Sequence, residues 1–117
     1  MKTQQELKYL LKAFEETSSE AERKEFLDDL THEDRQAFRR IKKEKAALEK
    51  ELAETRKALD RHFEQLPSSK NKGEIGKRYS ELSELYRKRG DRKSADELAR
   101  LLTRLNDLEK KKRDWLK

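Results

Sequence analysis

Residues 34–66 read DRQAFRRIKKEKAALEKELAETRKALDRHFEQL, with no glycine and no proline anywhere in the run. Its apolar side chains recur every seven residues. With Phe38 at position a, the a series is Phe38, Lys45, Leu52, Leu59 and Leu66, and the d series is Ile41, Leu48, Thr55 and His62. Such spacing predicts one long helix with a coiled-coil-like seam, roughly 50 Å from end to end at about 1.5 Å per residue. Lys45, Thr55 and His62 are polar positions in that seam; residues of this kind fix register at a cost in stability. Upstream, Thr31 is placed to cap the helix, and Glu33 and Asp34 put negative charge against its positive end. Downstream, Pro67 ends it, because proline lacks the amide donor and restricts the residue before it. Pro67 to Gly73 (PSSKNKG) reads as a loop.

The rest of the chain reads as helix too. It has 17 Leu, only two Ile (Ile41 and Ile75) and no Val. Strands favour β-branched residues, so a sheet core is excluded and the fold class is all-α. Residues 3–16 place Leu7, Leu10, Leu11 and Phe14 on one stripe. Residues 20–30 follow Ser19, which with Glu22 has the spacing of a capping box. After the loop come helices over about 74–89 and 92–116, separated by Gly90, a natural C-terminal cap, and by Asp91, a natural N-cap. Charged residues make up 48% of the chain, yet they fall between regularly spaced Leu, Phe and Tyr, so they line helices and not a solvated coil. The expected organisation is one helical domain over 1–117, built as elongated hairpins. It comprises an acidic pair at 1–30, the heptad helix at 31–66, the loop at 67–73 and a basic hairpin at 74–117.

Residues 79–95 resemble a tetratricopeptide-type helical hairpin. Tyr79, Leu82, Tyr86, Gly90 and Ala95 stand at that family's spacing. The resemblance implies two antiparallel helices that approach closely at the small residue, and a surface that binds peptides or proteins. The pattern is broken by Ser83 where Gly is usual, by Ala99 where an aromatic is usual and by Asp107 where Pro is usual. No preceding repeat stands 34 residues upstream.

Several chemistries lack their residues. Without cysteine there is no disulfide, thiolate nucleophile or Cys-ligated zinc. Gly73-Glu74-Ile75-Gly76-Lys77 does not have phosphate-loop spacing. Of the two histidines, His62 belongs to the seam and His32 to a helix start, and Leu59 stands where a di-iron motif would place Glu before His62. The expectation is a non-enzyme with no catalytic residue, no cofactor, no metal and no small-molecule substrate. The absence of an apolar run of spanning length and of a secretory signal pattern points away from membranes and towards the cytoplasm.

Charge is uneven, with a net of −3 over residues 1–30, +3 over 31–70 and +6 over 71–117. Two basic clusters are candidate contacts for an anionic partner: Arg39, Arg40, Lys42 and Lys43, and Arg87, Lys88, Arg89, Arg92 and Lys93. Such residues neutralise phosphates with little sequence preference. A third, Lys110 to Arg113, lies near the end. The apolar stripes give the other reading. Phe38, Ile41, Leu48, Leu52, Leu59 and Leu66, with Leu98, Leu101, Leu105 and Leu108, form two seams that a second copy would cover. The leading expectation is therefore an oligomerising adaptor, a homodimer with a protein partner; the alternative is a small basic nucleic-acid-binding accessory protein.

Overall fold

The computed structural model describes residues 1–116. Five helices form in chain order: α1 (Gln4–Glu16), α2 (Glu20–Asp28), α3 (His32–Phe63), α4 (Ile75–Arg89) and α5 (Arg92–Arg113). Among the described residues there is no strand, and no helix is long and apolar enough to cross a membrane. The all-α expectation holds. α3 begins at His32 behind the expected Thr31 cap, whose Oγ1 accepts from the Asp34 amide at 3.2 Å. Two helix ends come earlier than the sequence-based ones. α3 ends at Phe63 and not at Leu66. There the backbone tightens, with the Gln65 amide donating to the His62 carbonyl and the Leu66 amide to that of Phe63, as the residue before a proline avoids the α region. α5 ends at Arg113, so Trp115 lies in a turn beyond the helix.

The helix starts show how local sequence sets the ends. Thr3 and Glu6 form a full capping box, each side chain bonded to the other's backbone amide. At α2 the box is incomplete. Ser19 Oγ accepts from the Glu22 amide, but the Glu22 carboxylate accepts from the Thr17 hydroxyl, and the Ser19 amide donates to Thr17 Oγ1. α4 ends at Gly90, whose φ of +71° is left-handed. Its amide donates to Arg87 and the Asp91 amide reaches back to the Tyr86 carbonyl, closing the turn that an L side chain resists. Asp91 then starts α5, its carboxylate accepting from the Ser94 amide at 3.1 Å.

The chain falls into two compact units. The first takes in residues 1–49 and the segment from Lys111 onward. Its core is Leu7 and Leu11 of α1, Leu30, and Phe38 and Ile41 of α3, with Leu10, Phe14, Leu27, Ala37 and Trp115 packed against them. Phe14 and Phe38 meet edge to face with centroids 5.6 Å apart. Asp34 is buried in this unit and accepts from the Lys2 amide, at 3.2 Å to one carboxylate oxygen. Lys45, the polar a position, reaches out of the seam to the Glu15 carboxylate.

The second unit is residues 50–110. Here the expected long helix and basic hairpin share one interior: Leu52, Leu59, Phe63 and Leu66 are buried, as are Leu82, Tyr86, Leu98, Leu105 and Leu108. α5 runs back along α3, with Arg104 paired to Glu51 and Glu97 beside His62. Thr55 is buried too, but its hydroxyl donates to the Glu51 carbonyl one turn earlier at 2.7 Å, so that hydroxyl is satisfied.

The two glycines of the hairpin separate backbone conformation from packing. A Cβ at either Gly76 or Gly90 meets nothing within 4 Å, but only Gly90 has a positive φ. Gly90→Ala is expected to destabilise the fold by about 1 kcal/mol, from backbone strain alone. Gly76→Ala is expected to stabilise it by up to about 1 kcal/mol. Urea denaturation of the two variants checks both signs.

Candidate functional site

The cationic clusters lie on the outside of the helices. In the first unit α3 turns Phe38 and Ile41 inward. The positions between and after them, Arg39, Arg40, Lys42 and Lys43, are all exposed. Arg39 and Lys43 stand one turn apart on the same side. Arg39, Arg40 and Lys43 have no hydrogen-bond or ion-pair partner among the described residues. Lys42 places its ammonium 5.0 Å from the centre of the Phe14 ring, a cation–π contact that also shields the edge of the core.

In the second unit Arg87, Lys88, Arg89, Arg92 and Lys93 surround the α4–α5 turn and are exposed. Their partners are sparse. Lys88 reaches Glu84 at 3.7 Å, and Arg89 donates to Gln65 Oε1 at 3.5 Å. Arg87, Lys88 and Arg89 also fall in the last turn of α4, where positive charge suits the negative end of the helix. Part of this cluster therefore serves the helix itself.

The expected oligomer seam lies inside the single chain. Phe38 and Ile41 belong to the first core. Leu52, Leu59, Leu66, Leu98, Leu105 and Leu108 are buried in the second unit, and Leu48 and Leu101 are half-buried. The chain's own helices cover most of the stripes that were expected to meet a second copy.

The hairpin brings together the five residues of the tetratricopeptide-like pattern. Leu82 and Tyr86 are interior, Gly90 makes the turn, and Tyr79 and Ala95 are half-buried. Beside them lies a groove of about 920 Å³, with Tyr79, Ser83 and Arg87 from α4 and Arg92, Ala95 and Asp96 from α5 among its walls. The sequence reading missed this groove. Its sequence signals are the tetratricopeptide-like spacing and the small residues Ser80, Ser83 and Ala95, which read equally well as plain helix surface.

A second polar cluster also escaped the sequence. His62 Nδ1 stands 2.8 Å from the Tyr86 hydroxyl, and Nε2 stands 3.7 Å from the Glu97 carboxylate, an ion pair once the ring is protonated. Burial, with Asp91 and Glu97 adding to it, pushes the Tyr86 phenol above its ordinary value, so it stays protonated and able to donate. The seam position expected to hold a lone polar residue instead ties α3 to α4 and α5. No family model matches this chain, and no curated protein or solved structure matches it either.

The Asp91 carboxyl lies below its ordinary value, chiefly because the Ser94 side chain and amide bond to its ionised form. A folded-state value lower than the unfolded one means that this contribution is present above the unfolded value. It fades as pH falls through the folded value. Asp91→Asn keeps a capping acceptor but cannot titrate. The variant is expected to melt below the parent at pH 7, with the gap closing as pH falls below the ordinary carboxylate range. Thermal denaturation across that range checks it.

Proposed function

We propose that this protein is a non-enzymatic helical accessory factor that binds the phosphate backbone of nucleic acid through the cationic outer side of its helices. The observation that carries this reading is in the first unit. Arg39, Arg40 and Lys43 are exposed without an acidic partner, on a helix whose opposite side is fixed by Phe38 and Ile41. A cation held by an ion pair must give up that partner to meet a phosphate; these need not. The α4–α5 turn offers further cations in the second unit, with Arg92 and Lys93 also unpaired among the described residues. Contacts of this kind give binding that is tolerant of sequence and steep in salt.

Most residues of the stripes expected to join two copies are buried within the chain, with Leu48 and Leu101 half-buried. The exposed chemistry is charge, and the net formal charge is +6.

The test is fluorescence anisotropy with labelled duplex and single-stranded oligonucleotides, from about 50 to 200 mM salt. The expected result is a linear fall of log affinity with log salt. The double reversal Arg39→Glu/Lys43→Glu should lower affinity for every sequence and reduce the slope by about 2. No binding at the lowest salt, or an unchanged slope in the double variant, would overturn the proposal.

A further inference from the structure

We infer that the α4–α5 groove receives one unpaired nucleotide, with its phosphate on Arg87 and Arg92, its base against Tyr79 and the N–H edge of that base on Asp96. This site rests on the phosphate-binding reading above and adds to it a preference for single strands. At about 920 Å³ the groove falls within the roughly 300–1,000 Å³ of sites that hold small organic ligands. Its chemistry changes along its length. Arg87 and Arg92 stand on either side of the Gly90 turn. Asp96 lies one turn further along α5, about 6 Å by helix rise, and Tyr79 lies about 12 Å back along α4 from Arg87. Between these ends the walls carry the small side chains of Ser83 and Ala95, which leave room.

Charge, hydrogen-bond donors and a flat face together select the occupant. Arg87 and Arg92 are exposed and have no ion-pair or side-chain hydrogen-bond partner among the described residues, so they suit an anion. Two carboxylates also line the groove, and they differ. Asp91 is engaged at the start of α5, where it accepts from the Ser94 amide. Asp96 has no such partner among the described residues, and a carboxylate can only accept, so it suits N–H donors. The half-buried Tyr79 gives an aromatic wall on which a base can stack. A nucleotide brings all three: a phosphate, a flat ring and an edge with at least one N–H in every base. Sequence tolerance is thereby kept. In a duplex the base faces are stacked on one another and those N–H groups are paired. Unpaired bases present both to a protein. The groove serves single strands, and the cations outside it serve either form.

Fluorescence anisotropy at low salt, with a mixed-sequence single strand and with its duplex, tests the inference through the ratio of the two affinities. The parent should favour the single strand. Tyr79→Leu should lower the ratio about fivefold or more, as loss of one stacked base requires. Asp96→Ala tests the sign. If phosphate contacts were the whole interaction, removing a carboxylate would raise affinity for every polyanion. Here it should lower affinity for the single strand by about fivefold, as loss of a base-edge contact does, without lowering affinity for the duplex. Circular dichroism checks that both variants keep their helix content, and Asp96 is exposed, so its variant carries the test should Tyr79→Leu unfold. A parent that binds neither strand removes the phosphate reading and this site with it. A parent that binds both, with an unchanged ratio in Tyr79→Leu or a tighter single-strand complex in Asp96→Ala, overturns this site alone and leaves the phosphate reading standing.

Discussion

α3 must bury one stripe along its length, and both units are organised by that need. Phe38 and Ile41 enter one core, and Leu52, Leu59 and Phe63 enter the other. The remaining helices are short or amphipathic, and each contributes what the stripe lacks. α1 brings Leu7 and Leu11, α4 brings Leu82 and Tyr86, and α5 brings Leu98, Leu105 and Leu108. Buried apolar area is the main favourable term available to a chain in which nearly half the residues are charged. With the stripe turned inward, cations between its members are left to solvent.

The three polar interruptions of the heptad show how that burial is tolerated. Lys45 extends to Glu15, Thr55 returns its hydroxyl to its own helix, and His62 shares a hydrogen bond with Tyr86. Each keeps a partner, so none leaves an unsatisfied group in the interior. A strict two-stranded coiled coil would place such residues against a second copy of α3. Here their partners come from α1, from α3 itself and from α4, which is why an irregular seam still makes an ordered core.

Helix type and approximate extent were legible in the sequence, because Leu spacing and the positions of Thr31, Pro67 and Gly90 are local signals. The far end of α3 shifted where hydrogen bonding decided it, at the tightened turn after Phe63. What covers the stripe was not legible. A heptad face looks the same whether its partner belongs to the same chain or to another one, and only tertiary packing separates the two. The candidate cations were legible as clusters, but their availability was not. Nothing in the spacing of Lys88 and Arg39 says that the first meets Glu84 while the second has no partner among the described residues. The α4–α5 groove lay further out of reach, since serine and alanine mark a surface depression no better than they mark helix.

The placement of Lys and Arg has a consequence for proteolysis. The chain has 31 of them, nominally a substrate for trypsin along its whole length. A protease needs several residues of extended backbone, which a packed helix supplies only by unfolding locally. Among the described residues, only Lys2, Lys70 and Lys72 lie outside the helices. Nicking of the native protein is therefore governed by where the helices stop, and it concentrates in the loop after Pro67, a segment that lies entirely within the second unit.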